Sequence, residues 1–159
     1  MKVQDAINYS LDYAKRQGAE ADIVGQNTRS LEISSEGGQA SEFSVNSSTV
    51  VGIRVQKGKR IGISYSEALT EDSLERMVNQ ALKATAISED EPYQQIQETP
   101  ESDIEGTHDE IYAEDSEEIE EKVATAIKLE QELLKKDPLV KNAPYNGFTE
   151  YEAHQFYGN

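Results

Sequence analysis

With no cysteine in the chain, catalytic or metal-binding chemistry must rest on histidine, carboxylate, hydroxyl and amine side chains. Histidine is the scarcest of these, present only as His108 and His154. Neither belongs to a spaced ligand set, and no His-Glu-x-x-His helix motif occurs. His108 is followed by Asp109 and Glu110, but adjacent residues in a loop do not fix a coordination geometry. A solvated loop accounts for them. His154 sits in an alternating pattern with Gln155 and Phe156 and reads as a surface or edge residue of a strand.

The other chemical motifs fail at identifiable positions. Glu101-Ser102-Asp103-Ile104-Glu105-Gly106 begins like a calcium loop, with acids at alternate positions and a glycine sixth, yet position twelve is Tyr112 rather than a bidentate glutamate. Ser41, Ser44, Ser47, Ser48, Ser64 and Ser66 lack a Gly-x-Ser-x-Gly elbow and a histidine partner. Gly37-Gly38 is followed by neither Gly-Lys-Ser/Thr nor a helix start, so it is no phosphate loop. Asn46-Ser47-Ser48 fits a glycosylation sequon, which is inert without a signal peptide. The sequence therefore assigns no catalytic, no cofactor-binding and no metal-binding residue.

The elements that would position any site are clearer. Val3, Ala6, Ile7, Ser10, Leu11 and Ala14 trace one face of an opening helix, and Gly18 suits the left-handed position just past its end. A first strand is expected over Glu20 to Asn27. Leu31 and Ile33 alternate before Glu36-Gly37-Gly38-Gln39, and Phe43 and Val45 before Asn46-Ser47-Ser48, each pair bounded by turn residues. Val51, Ile53 and Val55, then Ile61, Ile63 and Tyr65, predict two neighbouring strands joined through Gly58.

After Tyr65 the period lengthens. Leu74, Met77, Val78, Ala81, Leu82 and Thr85 share one helix face, with Thr70 as N-cap and Glu71 and Asp72 in the first turn. A third helix is expected to begin at a capping box of Asp115 and Glu118, to present Ile119, Val123, Ala126, Ile127, Leu133 and Leu134 on one side, and to close at Asp137-Pro138. Two strands around an Asn146-Gly147 turn complete the chain, with Tyr151, Ala153, Gln155 and Tyr157 sharing a face of the second. The fold class is α+β: an antiparallel, hairpin-rich sheet packed with about three amphipathic helices.

The 159 residues suit a single domain spanning 1–159. The net charge of −16 is uneven, because Ser88 to Glu121 contains fifteen of the thirty-one acidic residues and no lysine or arginine. Residues 88–114, with few apolar anchors and prolines at 92 and 100, read as an acidic surface excursion. Such a charge repels polyanions, so no direct nucleic-acid binding is expected. Lys57, Lys59 and Arg60 read as a solvated hairpin tip that discourages edge pairing. No apolar run approaches the roughly 20 residues of a membrane span; a soluble, cytoplasmic protein without membrane attachment is expected. The stop at Tyr157-Gly158-Asn159, within a strand pattern, reads as the edge of a piece of a longer protein.

In element order and in particular residues, the chain resembles the N-terminal domain of the TldD/PmbA family, named for modulation of DNA gyrase and regarded as metalloproteases. The likeness rests on Leu11-Asp12-Tyr13-Ala14-Lys15-Arg16-Gln17-Gly18-Ala19-Glu20-Ala21, on Gly52-Ile53-Arg54-Val55, on Arg60-Ile61-Gly62-Ile63-Ser64-Tyr65-Ser66, on the helix Glu71 to Thr85, and on the segments from Asn146-Gly147-Phe148 to Phe156-Tyr157-Gly158-Asn159. The stretch from Arg54 through Leu74 looks more similar to the PmbA (TldE) branch.

The resemblance implies a component of a zinc peptidase acting on small or unfolded peptides, partnered by a TldD-type or PmbA-type subunit as a homodimer or heterodimer. TldD-type members carry a His-Glu-x-x-x-His metal helix that is absent from Met1 to Asn159. Zinc is thus implied for the full-length complex, none for this chain, and the chain alone is expected to be inactive. Its expected contribution is scaffold, subunit contact and substrate guidance. An exposed sheet edge in the serine-rich segment Ser41 to Thr49 would add an extended peptide as a strand. The alternative is a freestanding, non-enzymatic α+β interaction module whose acidic loop binds a basic protein partner.

Overall fold

The structure is a computed structural model and describes residues 1–96 and 115–159. Its elements are α1 (Val3–Arg16), β1 (Glu20–Glu36), β2 (Gln39–Lys57), β3 (Arg60–Ser66), α2 (Glu71–Thr85), α3 (Ile119–Lys136) and β4 (Gly147–Gly158). Together they make an α+β fold with one four-stranded antiparallel sheet in the order β3-β2-β1-β4. The expectations resting on His108, on the calcium-like run from Glu101 to Gly106, and on Ile104, Ile111 and Tyr112 lie outside the described residues.

The chain folds as two compact units. The first contains Met1–Thr28, Ser48–Ser102 and Ala153–Asn159; the second contains Arg29–Ser47 and Asp103–Glu152.

The first unit is built on apolar periodicity. Val3, Ala6, Ile7 and Ala14 of α1 are buried with Ala21 and Ile23 of β1, Val51, Ile53 and Val55 of β2, and Leu74, Met77, Val78 and Ala81 of α2. Both helices end and begin as their sequences dictate. Gly18 takes φ +71°, which lets its N–H reach Lys15 O at 3.0 Å and the next N–H, of Ala19, reach Ala14 O at 3.2 Å, a Schellman arrangement. At α2 the Thr70 Oγ1 accepts from Ser73 N, and Glu71 and Asp72 occupy the first turn.

The β2–β3 hairpin runs antiparallel from Lys57↔Arg60 to Val51↔Ser66. Val51, Ile53 and Val55 thereby face inward opposite Ser66, Ser64 and Gly62. Gly62 is where α2 comes closest: a Cβ there would collide with the Ala81 carbonyl and approach Thr85 N, so only a residue without a side chain permits the packing. The outward positions Ile63 and Tyr65 are exposed.

The second unit is organised differently. Its apolar cluster is small, Leu31, Ile33 and Ala126, with Val123 and Phe148 against it. The face of α3 that turns inward is Lys122, Ala126 and Glu130, one stripe at i, i+4 and i+8. Ile119 and Leu133, expected on the buried side, are exposed, as is Leu129.

Four other expectations change. Glu20–Asn27 and the run at Leu31 and Ile33 are one 17-residue strand, β1. Asn46-Ser47-Ser48 is no turn but part of the 19-residue β2, because the strand continues antiparallel to β1 and its backbone groups find partners there. The Asp115–Glu118 capping box does not form. Glu118 itself is the N-cap residue, without a side-chain bond, while Asp115 Oδ1 accepts from Glu117 N at 2.9 Å and Asp115 pairs with Lys122. Finally, Asn146-Gly147 is no hairpin turn: only the strand after it exists, and Val140 to Asn146 is irregular. Asn146 is buried instead, and the left-handed residue is Tyr145, at φ +69°. In β4 the outward parity holds for Tyr151, Ala153, Gln155 and Tyr157, while Phe148, Glu150, Glu152 and Phe156 are half-buried.

Candidate functional site

Gly37-Gly38, rejected by sequence as a phosphate loop, is nevertheless an anion-binding turn. Both glycines adopt positive φ, +63° and +77°, as a two-residue hairpin between β1 and β2 requires. Their N–H groups converge on one carboxylate: Gly37 N donates to Glu130 Oε1 at 2.8 Å and Gly38 N to Glu130 Oε2 at 3.0 Å. The anion is the protein's own, and Glu130 is 3% exposed. A charge this deep is sustained by those two bonds.

Beside it, in the same unit, lies a second polar cluster. Lys122 Nζ, on a residue 5% exposed, pairs with Asp115 at 2.7 Å and with Glu150, and stands 5.9 Å from the centre of the Phe148 ring. The bond with Lys122, followed by that from Glu117 N, holds the Asp115 carboxyl below its ordinary range. Asp115 first and Glu150 second raise the Lys122 ammonium above its own. Asn146 Nδ2 donates to Ser35 Oγ at 2.6 Å and to Ala126 O at 2.9 Å, and Ser35 Oγ also bonds Ala126 O. Lys122 is thus matched by two carboxylates, and with the bonds to Ala126 O these contacts fix the orientation of α3. Sequence reasoning missed Lys122, Glu130 and Asn146; the available signal was a lysine and a glutamate eight residues apart, bracketing Ala126.

In the first unit several polar side chains are also paired, although the buried Ser10 hydroxyl on α1 has no partner among the described residues. Arg54 Nε donates to Asp22 Oδ1 at 3.0 Å and Nη2 to Oδ2, a two-pronged pair across β1 and β2, and that bond raises the arginine further above its ordinary value. Tyr9 OH donates to Glu75 Oε1 at 2.7 Å, which pushes its pKa up to about 12. Asn79 Nδ2 donates to Tyr13 OH at 3.0 Å.

The hairpin-tip cations are not all free in solvent. Arg60 pairs with Asp90 at 3.0 Å, Lys59 O accepts from Glu91 N at 2.7 Å, and the Gln56 amide bonds Gln94 O and Ile96 N. The start of the acidic stretch is thus held by the β2–β3 turn. His154 lies on β4 and is exposed. Ser64 Oγ bonds the Gln80 side chain and Ser66 Oγ bonds Ala68, so neither of these two is poised as a nucleophile. Among the described residues no three His, Asp or Glu side chains group as metal ligands, and no step through a metal is derived from them. Also among these residues, no helix is long and apolar enough to cross a membrane.

Residues 21–85 match the family described as PmbA/TldA metallopeptidase domain 1. That stretch, less than half of the chain, is similar to the first domain of a metallopeptidase family.

Three solved structures share the fold. A candidate modulator of a DNA gyrase from Thermotoga maritima is 17% identical with TM-score 0.63, covering 98% of this chain and 38% of that one. TldE from Thermococcus kodakarensis is 21% identical with TM-score 0.60, covering 96% and 34%. A candidate modulator of DNA gyrase from Bacteroides thetaiotaomicron is 14% identical with TM-score 0.73, covering 97% and 35%. The chain therefore spans little more than a third of the length of these proteins. No curated protein matches it.

Proposed function

We propose that this chain is the N-terminal scaffold of a zinc-dependent peptidase of the TldD/PmbA type that acts on small or unfolded peptides. Its intact protein works together with a TldD-type or PmbA-type subunit. The observation that carries the reading is the family match over residues 21–85, supported by a fold shared over nearly the whole chain with TldE and the gyrase-modulator proteins. The polar clusters add to it: they are consumed in holding elements together, as suits a domain whose role is support and contact. The PmbA branch is the closer assignment, and the cytoplasm the compartment.

The test is a reconstitution. The 159-residue chain is assayed for zinc content and for hydrolysis of a fluorogenic, unstructured peptide. The intact protein is then assayed alone and with its co-expressed TldD-type subunit. Zinc-dependent hydrolysis is expected only in the assembled complex. Tight stoichiometric zinc or hydrolysis in the 159-residue chain would overturn the assignment of its role, and capture of a basic protein by an intact protein inert with every subunit would favour an interaction module instead.

A further inference from the structure

The Asn146-Gly147 pair is held fast inside the second unit. Asn146 is 7% exposed, and its side-chain amide is fully engaged, Nδ2 donating to Ser35 Oγ at 2.6 Å and to Ala126 O at 2.9 Å. Its Oδ1 is buried with no partner among the described residues. The backbone is tied as well: Asn146 N donates to Ala143 O at 3.2 Å, and Asn146 O accepts from Ser35 N at 3.3 Å. Gly147 has no room for a side chain, because a Cβ there would stand 2.5 Å from Ile33 O. The packing thus asks for asparagine at one position and glycine at the next.

That demand places a labile bond in the fold. Asparagine is thermolabile because the next backbone nitrogen can attack its side-chain amide, and glycine, without Cβ, obstructs the attack least. Asn146 alone among the asparagines of the chain precedes glycine. In the reaction Gly147 N gives up its proton and bonds to Asn146 Cγ, the Cγ–Nδ2 bond breaks, and ammonia leaves. Water then opens the cyclic imide at either carbonyl to give aspartate or isoaspartate. One water is consumed and one ammonia released, with no oxidation or reduction.

In the closed unit Nδ2 is anchored by two bonds and water is excluded, so both steps wait for local opening. The product does not fit back. An oxygen in place of Nδ2 confronts Ala126 O, acceptor against acceptor, and carries a charge into a site nine-tenths buried. The buried lysine of this unit, Lys122, is already matched by Asp115 and Glu150. Isoaspartate also lengthens the backbone by one carbon where Ser35 N meets Asn146 O.

We infer that Asn146 is a deamidation site guarded by the closed second unit, and that its conversion to aspartate or isoaspartate holds that unit open. The device is a one-way timer whose rate is set by local opening, and it operates whether or not the peptidase reading holds.

The test incubates the 159-residue chain at mildly alkaline pH, folded and in urea, and follows its peptides by mass spectrometry, with isoaspartyl methyltransferase labelling of isoaspartate. In urea Asn146 should convert at least tenfold faster than Asn142, which precedes Ala143. In the folded chain Asn146 should convert at least tenfold more slowly than in urea. Ser35→Ala, which removes one acceptor from Nδ2, should quicken the folded rate at least threefold and leave the urea rate unchanged, while Thr70→Ala in the first unit should alter neither. The fully converted chain should exchange the amides of α3 and of the start of β4 at least tenfold faster than the fresh chain, with α2 unchanged. Equal rates in the folded chain and in urea would overturn the guard. Acceleration by Thr70→Ala as large as that by Ser35→Ala would overturn the local opening, and native exchange in the converted chain would overturn the open product. The comparisons of folded with urea and of fresh with converted chain need no substitution, so they decide the matter even if Ser35→Ala does not fold.

Discussion

The two units bury different things. The first buries thirteen apolar side chains from both helices and two strands. The second buries three and adds Ser35, Lys122, Glu130 and Asn146. Apolar packing is tolerant, because any side chain of fitting volume contributes in proportion to the area it removes from water. Polar packing is directional: a buried donor or acceptor without its partner costs about 1–3 kcal/mol. The first unit therefore resists many substitutions and yields to lost volume or collision; the second depends on a few specific bonds.

The largest expected effect separates these modes. Gly62→Ala forces a methyl group into the Ala81 carbonyl, and since backbone rather than a flexible side chain must move, the loss should exceed about 3 kcal/mol, at the upper end of overpacking costs. Chemical denaturation measures it, and a loss below about 1 kcal/mol, the lower end of that range, would mean that α2 lies farther from β3 than described. Leu74→Ala, at a fully buried position, should cost about 2–5 kcal/mol through transfer and cavity terms.

Glu130→Ala comes next, at about 1–3 kcal/mol, because it strands the N–H groups of Gly37 and Gly38. A Glu130→Gln chain, retaining one acceptor oxygen, should lie between the two. If alanine and glutamine behave alike, the turn is not held by the carboxylate. Thr70→Ala should cost about 1 kcal/mol as a lost N-cap, read as a lower unfolding midpoint with α2 otherwise intact.

The smallest effect is in pH dependence and belongs to the second unit. Asp115 titrates below its ordinary 3.8 when folded, so the unfolded chain binds that proton more readily. Its contribution is complete above that value and lost as pH falls through the lowered folded value. Lys122 is raised above 10.5, so its contribution is complete below that value and lost as pH climbs through the raised one. Unfolding midpoints across pH should show both slopes flattened in a Lys122→Met chain. Unchanged slopes would mean the pair contributes nothing.

The same contrast explains what could be read from sequence. α1, α2 and the β2–β3 hairpin were legible because Val3 to Ala14, Leu74 to Thr85 and Val51 to Val55 carry their burial in their hydropathy. The orientation of α3 was not, because the apolar pattern of Ile119, Ile127 and Leu133 competes with Lys122 and Glu130, whose partners Asp115, Glu150 and the Gly37-Gly38 turn lie outside the helix. Asn146-Gly147 and Asn46-Ser47-Ser48 have turn propensity, but tertiary hydrogen bonding for the first and strand continuation for the second overrode it. Of the candidate site, Gly37-Gly38 was visible as turn chemistry, whereas the carboxylate that its N–H groups hold, Glu130, emerged only from the packing of α3.

The bond from Gly37 N to Glu130 spans 93 residues, while the hairpin that it holds closes over two. These separations imply an order of assembly. The β1–β2 turn can form from neighbours within microseconds, whereas its carboxylate clasp must wait for a long loop to close. Glu130 should thus act as a late latch: its removal would quicken unfolding and leave the folding rate nearly unchanged, a kinetic signature that stopped-flow measurements on Glu130→Ala would reveal or refute.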